Sequence, residues 1–171
     1  MTGAASVTVR KAALDDTEAI AVVHAAAWQT AFTFLPARFL EAMTAAQVLA
    51  KWRDDLRRPA TPLFVAVHDD RSVVGFLQVR ATGGEGEVMS LYVHPSSWRR
   101  GVGSTLLAFA EAWLIDRRVH TATLWTAKES HQARGFYEHH GWRASGATQT
   151  QHLGPSRVAL HEVEYRKTLS A

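Results

Sequence analysis

The residues with the most chemistry to offer lie in Leu91–Leu107, LYVHPSSWRRGVGSTLL. An apolar segment runs into a proline-containing loop, then two glycines, then an amphipathic helical pattern. Gly101 and Gly103 let a backbone approach a ligand closely. A helix that starts there leaves its first N–H groups unpaired, with the positive end of its dipole behind them. Arg99 and Arg100 add positive charge beside it. Such a turn can cradle a phosphate. It is not a dinucleotide fingerprint, because Leu106 stands where GxGxxG needs its third glycine. It is not a Walker A loop, because no Lys-Ser or Lys-Thr follows the glycines. Glycines at a strand-to-helix turn also serve purely steric ends, so the loop alone leaves both readings open.

Other chemistries find little support. The chain has no cysteine, which removes disulfides, thiolate metal sites and a cysteine nucleophile. Nine histidines are present, but His139-His140 and His161-Glu162 fall in no metal-ligand spacing, so no metal is expected. His24, on the first helix, reads either as a base or as a hydrogen-bonded structural histidine. No G-x-S-x-G elbow occurs. The net charge of +3 is mild. Arg53, Arg57, Arg58, Arg99, Arg100, Arg117 and Arg118 are scattered over three segments, which argues against a nucleic-acid partner. The N-terminus lacks a continuous apolar leader, and no apolar run approaches the ~18 residues of a membrane span. The reading is a soluble, cytoplasmic protein with no membrane partner. With 171 residues, 47% of them hydrophobic, one domain over residues 1–171 is expected.

The elements that must position the glycine turn are legible in outline. Val7–Arg10 reads as a strand, and Asp15 and Asp16 precede a helix whose Ile20, Val23, Ala27 and Trp28 share one face. Phe32–Pro36 interrupts it. A second helical stretch from Ala37 to Arg57 breaks near Thr44, a fitting N-cap, and ends before Pro59 and Pro62. Leu63–Val67 and Ser72–Val79 are strands apolar on both faces, joined through His68–Arg71. Thr82–Gly86 reads as a flexible loop. Glu87–Val93 is a strand with Met89, Leu91 and Val93 on one face. Gly101–Arg117 is a helix, His120–Thr126 a strand, Ser130–His140 a short helix closed by Gly141, and Ala159–Lys167 a last strand. Trp52, Trp113 and Trp125 read as core. The order implies a mixed sheet with parallel pairing somewhere in it.

The second half carries LWTAKESHQARGFYEHHGW, Leu124–Trp142. Together with the glycine turn it resembles the GNAT family of N-acetyltransferases. The matching positions are Gly101-Val102-Gly103, then Ala133, Phe136, Tyr137, Glu138, Gly141 and Trp142. VRKAALDD, WQTAFTFLP and VVGFLQV extend the likeness over nearly the whole chain. Two positions depart from the family pattern: Trp98 stands where Arg or Gln is usual, and Ser130 where Asn is usual.

The resemblance implies an α/β (α+β) GNAT fold, with a mixed, mostly antiparallel sheet and helices on both faces. It implies direct acetyl transfer from acetyl-CoA to a primary amine in a ternary complex. The backbone amides of Arg99, Arg100, Gly101, Val102, Gly103 and Ser104 would hold the pyrophosphate. The backbone of Leu91, Tyr92 and Val93 would pair with the pantetheine arm like an added strand, with an N–H near Leu91 as oxyanion donor. Ser130, Ala133 and Phe136 would line the other side of the cofactor cleft.

By the same resemblance, Tyr137 is the candidate general acid and Glu87 the candidate base. Each also has a plainer reading, Tyr137 as packing against the sheet and Glu87 as a solvated charge. Trp28 and Phe32 would wall the acceptor pocket, or Trp28 is simply core. A homodimer is in keeping with the family. Antibiotic, polyamine, amino acid, peptide N-terminus and protein lysine all fit as acceptors, since fold does not fix substrate. The rival functional reading is a non-catalytic acyl-CoA sensor.

Overall fold

A computed structural model describes residues 7–57 and 61–170. Arg58, Pro59 and the first six residues lie outside that range. The elements in chain order are β1 (Val7–Lys11), α1 (Thr17–Ala31), α2 (Ala37–Ala42), α3 (Ala45–Arg57), β2 (Leu63–His68), β3 (Val73–Thr82) and β4 (Glu85–Val93). After these come α4 (Val102–Ile115), β5 (Thr121–Ala127), α5 (His131–His139), β6 (Arg143–Leu153) and β7 (Val158–Thr168). The strands form one sheet in the order β1-β2-β3-β4-β5-β7-β6. Within it the β4–β5 pair is parallel and the rest antiparallel. No described helix is long and apolar enough to cross a membrane.

The doubly apolar strands are explained by what covers them. On β2, Leu63, Val65 and Val67 pack with Ile20 of α1 and Trp52 of α3. The alternate residues Phe64 and Ala66 pack with Leu106, Leu107 and Leu114 of α4. Period-2 alternation therefore sends successive apolar residues into two different cores. Local signals set the element ends. The Thr44 hydroxyl accepts the Gln47 N–H at 3.4 Å and opens α3. Arg10 grips Asp16 through both carboxylate oxygens at 2.7 and 2.8 Å, and the Ala13 N–H adds a third bond, which ties β1 to the start of α1.

Three expectations need correction. Thr82–Gly86 is not a loop: β3 and β4 join through Gly83-Gly84 alone, both left-handed at φ 61° and 85°, the two-residue hairpin that matches strand twist. β6 was not foreseen, because its Ser, Thr, Gln and Gly residues are almost all exposed and leave no apolar period. Met89 does not share a face with Leu91 and Val93. Val79 pairs with Val88 and Gln78 with Ser90, so Met89 is the extra residue of a β-bulge and is 40% exposed. The bulge reverses the strand's parity. Val88, before it, and Leu91 and Val93, after it, then all turn to the α4 side.

The bulge also ends a ladder. β4 pairs with β5 only over Glu85–Val88 against Thr121–Leu124. Beyond that point the two central strands have no mutual hydrogen bonds, and the sheet opens along its middle.

Candidate active site

The opening is a cavity of about 600 Å³. Residues 88–93 of β4 form one wall and Trp125, Thr126 and Ala127 of β5 the other. The glycine turn stands at one end. Arg99 and Gly101 are left-handed at φ 58° and 83°, and Gly101 is the N-cap of α4. The Thr105 N–H turns back to the Gly101 carbonyl at 2.9 Å. The N–H groups of Val102, Gly103 and Ser104 have no acceptor within the helix, and a glycine cap offers no side chain to them. Gly103 serves proximity: a β-carbon there would sit 3.4 Å from the Phe136 ring of α5.

Two contacts brace this end. The Trp98 indole N–H donates to the Val93 carbonyl at 2.7 Å, which gives the unexpected tryptophan a structural task. His140 joins α5 to α4. Its Nδ1 lies 2.8 Å from the Phe136 carbonyl, which only accepts, so Nδ1 carries the proton. Nε2 then accepts from the Ser104 hydroxyl at 3.0 Å.

Strand alternation decides which β4 amides face the cavity. The His94 N–H donates to Val74 of β3 at 2.8 Å. Tyr92, two residues back, directs its backbone groups to β3 as well. Leu91 and Val93 direct theirs to the other edge, where β5 has parted. Tyr92 therefore does not offer its backbone to the cleft as expected; its ring lines the cavity instead.

The far end is aromatic. Trp28 stacks on Phe32 at 4.1 Å and 2°, and His24 stacks on Tyr92 at 5.1 Å and 17°. His24 Nδ1 accepts the Trp52 indole N–H at 2.9 Å, so neutral His24 holds its proton on Nε2. Burial pushes its pKa down to about 4, and the Lys51 ammonium acts in the same direction. His24 is thus a hydrogen-bonded structural histidine, neutral at ordinary pH. Burial raises the Tyr92 phenol to about 12. Trp125 is half-buried in this wall and not in the core.

Tyr137 lies on the wall as well. Its ring packs among Phe136, Trp142 and Tyr165. Its hydroxyl has no hydrogen-bond partner among the described residues, and burial raises its pKa well above the ordinary phenol value. The Tyr165 hydroxyl donates to Glu138 at 2.6 Å and accepts from Arg134 at 3.2 Å, which fixes α5 and the tyrosine it carries.

Of the residues singled out in the sequence, the cavity gathers Trp28, Phe32, Leu91, Tyr92, Val93, Arg99, Gly101, Gly103, Ser104, Ser130, Ala133, Phe136 and Tyr137. Ser130 is occupied as the cap of α5, where it accepts the Ala133 N–H at 3.4 Å. Arg100 is exposed and not part of the lining, and the Val102 side chain is core. Glu87 is not in the lining either. It stands where β4 still pairs with β5, opposite Thr123, and its carboxylate is bound by Arg80 of β3. The cleft opens only two residues later, so the side chain expected to be the base lies short of it.

A carboxylate that sequence reading dismissed takes a place there: Glu162 of β7. It lines the cavity and is 8% exposed. Its Oε2 accepts from Gln149 at 2.7 Å and Gln151 at 2.8 Å. Both donors lie on β6, the strand with no apolar signal, so nothing local in the sequence could have placed them.

The sheet thus parts at a bulge, and the turn at the mouth of the opening presents free helix amides. The model of the acetyltransferase (GNAT) family matches residues 21–142, and the chain belongs to that family. An uncharacterized N-acetyltransferase of Bacillus subtilis, YuaI, is 28% identical over 130 residues, 72% of this chain and 73% of the relative. A spermidine N(1)-acetyltransferase of Thermoplasma acidophilum is 20% identical over 143 residues, 81% of this chain and 89% of the relative. Among solved structures, the PaiA N-acetyltransferase of Thermoplasma acidophilum in complex with coenzyme A superposes with a TM-score of 0.74 at 17% identity. It covers 95% of this chain and 99% of that one. A GCN5-related N-acetyltransferase from Rhodopseudomonas palustris gives 0.78 at 22% identity, with 96% of each chain covered. These likenesses bear out the mixed sheet with helices on both faces.

Proposed function

We propose that the protein transfers an acetyl group from acetyl-CoA directly to a primary amine, both bound at once in the cleft. The observation that carries this reading is the cleft itself. One opening joins free helix amides at its mouth, free strand amides along β4, an unpartnered tyrosine hydroxyl on its wall and an aromatic chamber beyond.

The turn from Arg99 to Ser104 takes the pyrophosphate, with Arg99 beside it. The pantetheine arm lies along β4 and bonds to the backbone of Leu91 and the Val93 N–H. The Val93 carbonyl is already taken by Trp98. The Leu91 N–H donates to the thioester oxygen as it gains charge.

The amine nitrogen attacks the thioester carbon, the C–N bond forms and the C–S bond breaks. The sulfur takes a proton from Tyr137, and the proton released by the amine returns through water to the phenolate. Amine and acetyl-CoA become acetamide and coenzyme A thiol. A phenol as weakly acidic as Tyr137 stays protonated in the resting enzyme, so it meets the departing sulfur as a hydrogen-bond donor. Glu87, ion-paired outside the cavity, is given no part in the reaction. The spermidine enzyme among the relatives supports an amine acceptor.

The test is thermal melting with acetyl-CoA, coenzyme A, NAD and ATP at one concentration, followed by thiol release with a set of amines. A ligand at about 100 times its Kd stabilises by about 2.7 kcal/mol. A shift with the two coenzyme A ligands alone supports the reading. Absence of any shift in a folded sample overturns it.

A further inference from the structure

We infer that Glu162 is the specificity residue of the acceptor chamber, and that the acceptor is an amine carrying a second cationic group, a diamine or polyamine, whose remote ammonium sits on this carboxylate. The inference rests on the acetyl-transfer reading for the identity of the reacting end, and on separate observations for the remote one.

The first observation is a charge without a counter-charge. Buried carboxylates are normally paired, because desolvating an ion alone is costly. Elsewhere among the described residues they are: Asp16 with Arg10 and Glu164 with Arg166. Glu162 is as buried as Asp16 and Glu164, yet among the described residues no cation pairs with it. Its two partners are neutral glutamine amides, and both donate to Oε2. Oε1 has no partner among the described residues. The carboxylate is thus oriented by its neighbours and its charge is left for something else.

The second observation is its surroundings. Glu162 shares the chamber with the rings of Trp28, Phe32, Tyr92 and Trp125. Electron-rich ring faces around one carboxylate favour an ammonium, which gains a charge-assisted hydrogen bond and cation–π attraction together. Lys51 also lines the cavity, but Asp55 neutralises it at 2.6 Å and its ammonium lies over Trp52. Arg99, the other cation of the lining, stands at the glycine turn, so among the described residues the free charge of the chamber is negative. The same charge disfavours acceptors that bring a carboxylate beside the amine, such as free amino acids.

The test compares 1,6-diaminohexane, hexylamine and 6-aminohexanoate, which share a reacting end and differ at the remote one. Thiol release gives kcat and KM, and calorimetric titration into the protein saturated with coenzyme A gives binding without turnover. Two variants are used: Glu162→Gln, which keeps the shape, and Gln151→Lys, which offers the carboxylate an internal cation. The wild type is expected to take the diamine at least 10-fold better than hexylamine and to reject the amino acid. In both variants the diamine's KM and Kd rise about 10–100-fold, the loss of one charge-assisted contact, and the preference over hexylamine disappears. Coenzyme A protection in melting curves stays as in the wild type.

Turnover of all three amines with equal KM, unchanged in either variant, overturns the inference and leaves acetyl transfer standing. Glu162-dependent binding of the diamine without any turnover overturns acetyl transfer and leaves the anchor standing. Failure of the diamine to bind at all overturns the anchor.

Discussion

Replacing Tyr137 by Phe separates a catalytic hydroxyl from a packed ring. The ring stands 5.2 Å from Phe136, 6.3 Å from Trp142 and 6.2 Å from Tyr165, and phenylalanine keeps all three neighbours. Among the described residues, the hydroxyl gives up no hydrogen bond when it is removed. The stability change should therefore stay within about 1 kcal/mol, against the 1–3 kcal/mol that orphaning a buried partner costs. For a chain of 171 residues that is a Tm shift of no more than about 2–4 °C.

The rate behaves differently. A positioned acid is worth about 10²–10⁴-fold, and the raised pKa of Tyr137 puts it at the lower end, because proton donation lags behind sulfur departure. We expect kcat to fall about 10²–10³-fold, or about 2.7–4 kcal/mol of barrier. The KM for acetyl-CoA should stay within about twofold, since the glycine turn and the β4 amides are untouched. Thiol release at saturating amine gives kcat and KM, and scanning calorimetry gives Tm. Retention of kcat within threefold refutes the assignment. So does a loss of rate matched by a large loss of Tm, which would make the tyrosine structural. An alkaline limb near pH 9 in the wild type that vanishes in Tyr137→Phe would refute the argument from burial, which keeps this phenol protonated there.

Gly101→Ala forces an L-residue to φ 83° in open space, so its cost is backbone strain of about 1–2 kcal/mol, seen as a lower Tm together with weaker protection by coenzyme A. Folding holds His24 at a pKa of about 4 against 6.5 when free, so the unfolded chain binds the extra proton. Its contribution is complete above pH 6.5 and is lost as pH falls towards 4, at about 1.4 kcal/mol per unit. Urea melts between pH 4.5 and 7.5 should show that slope, and His24→Gln should flatten it. Arg10 holds the Asp16 carboxyl below its ordinary value, so this pair stabilises above about pH 4 and fails as pH falls through the lowered pKa. Asp16→Asn should cost about 1 kcal/mol at pH 7, limited by the half-exposed Arg10, and show as a lower urea midpoint that converges on the wild type in acid.

Much of the site was legible because its parts are local. The glycine turn, the helix it opens, the Phe136-Tyr137 helix and the Trp28-Phe32 break each lie within a few residues of chain, and all of them line one cavity. What was misplaced depended on register. Glu87 looked available because a sequence does not show where two strands stop pairing, and Arg80 reaches it from the neighbouring strand. Trp125 looked like core because an apolar strand residue is core unless its neighbouring strand has moved away.

The sequence by itself determined what periodicity and turn chemistry can determine: strands with two buried faces, and a helix that opens at a glycine turn. These follow from backbone sterics and local hydrogen bonds, which act over a handful of residues. Only the tertiary structure decided that Met89 is a bulge, that β4 and β5 part beyond Val88, and that Glu162 stands in the opening between them. Those outcomes depend on pairing between separate strands, where one residue of register turns a side chain from one face of the sheet to the other.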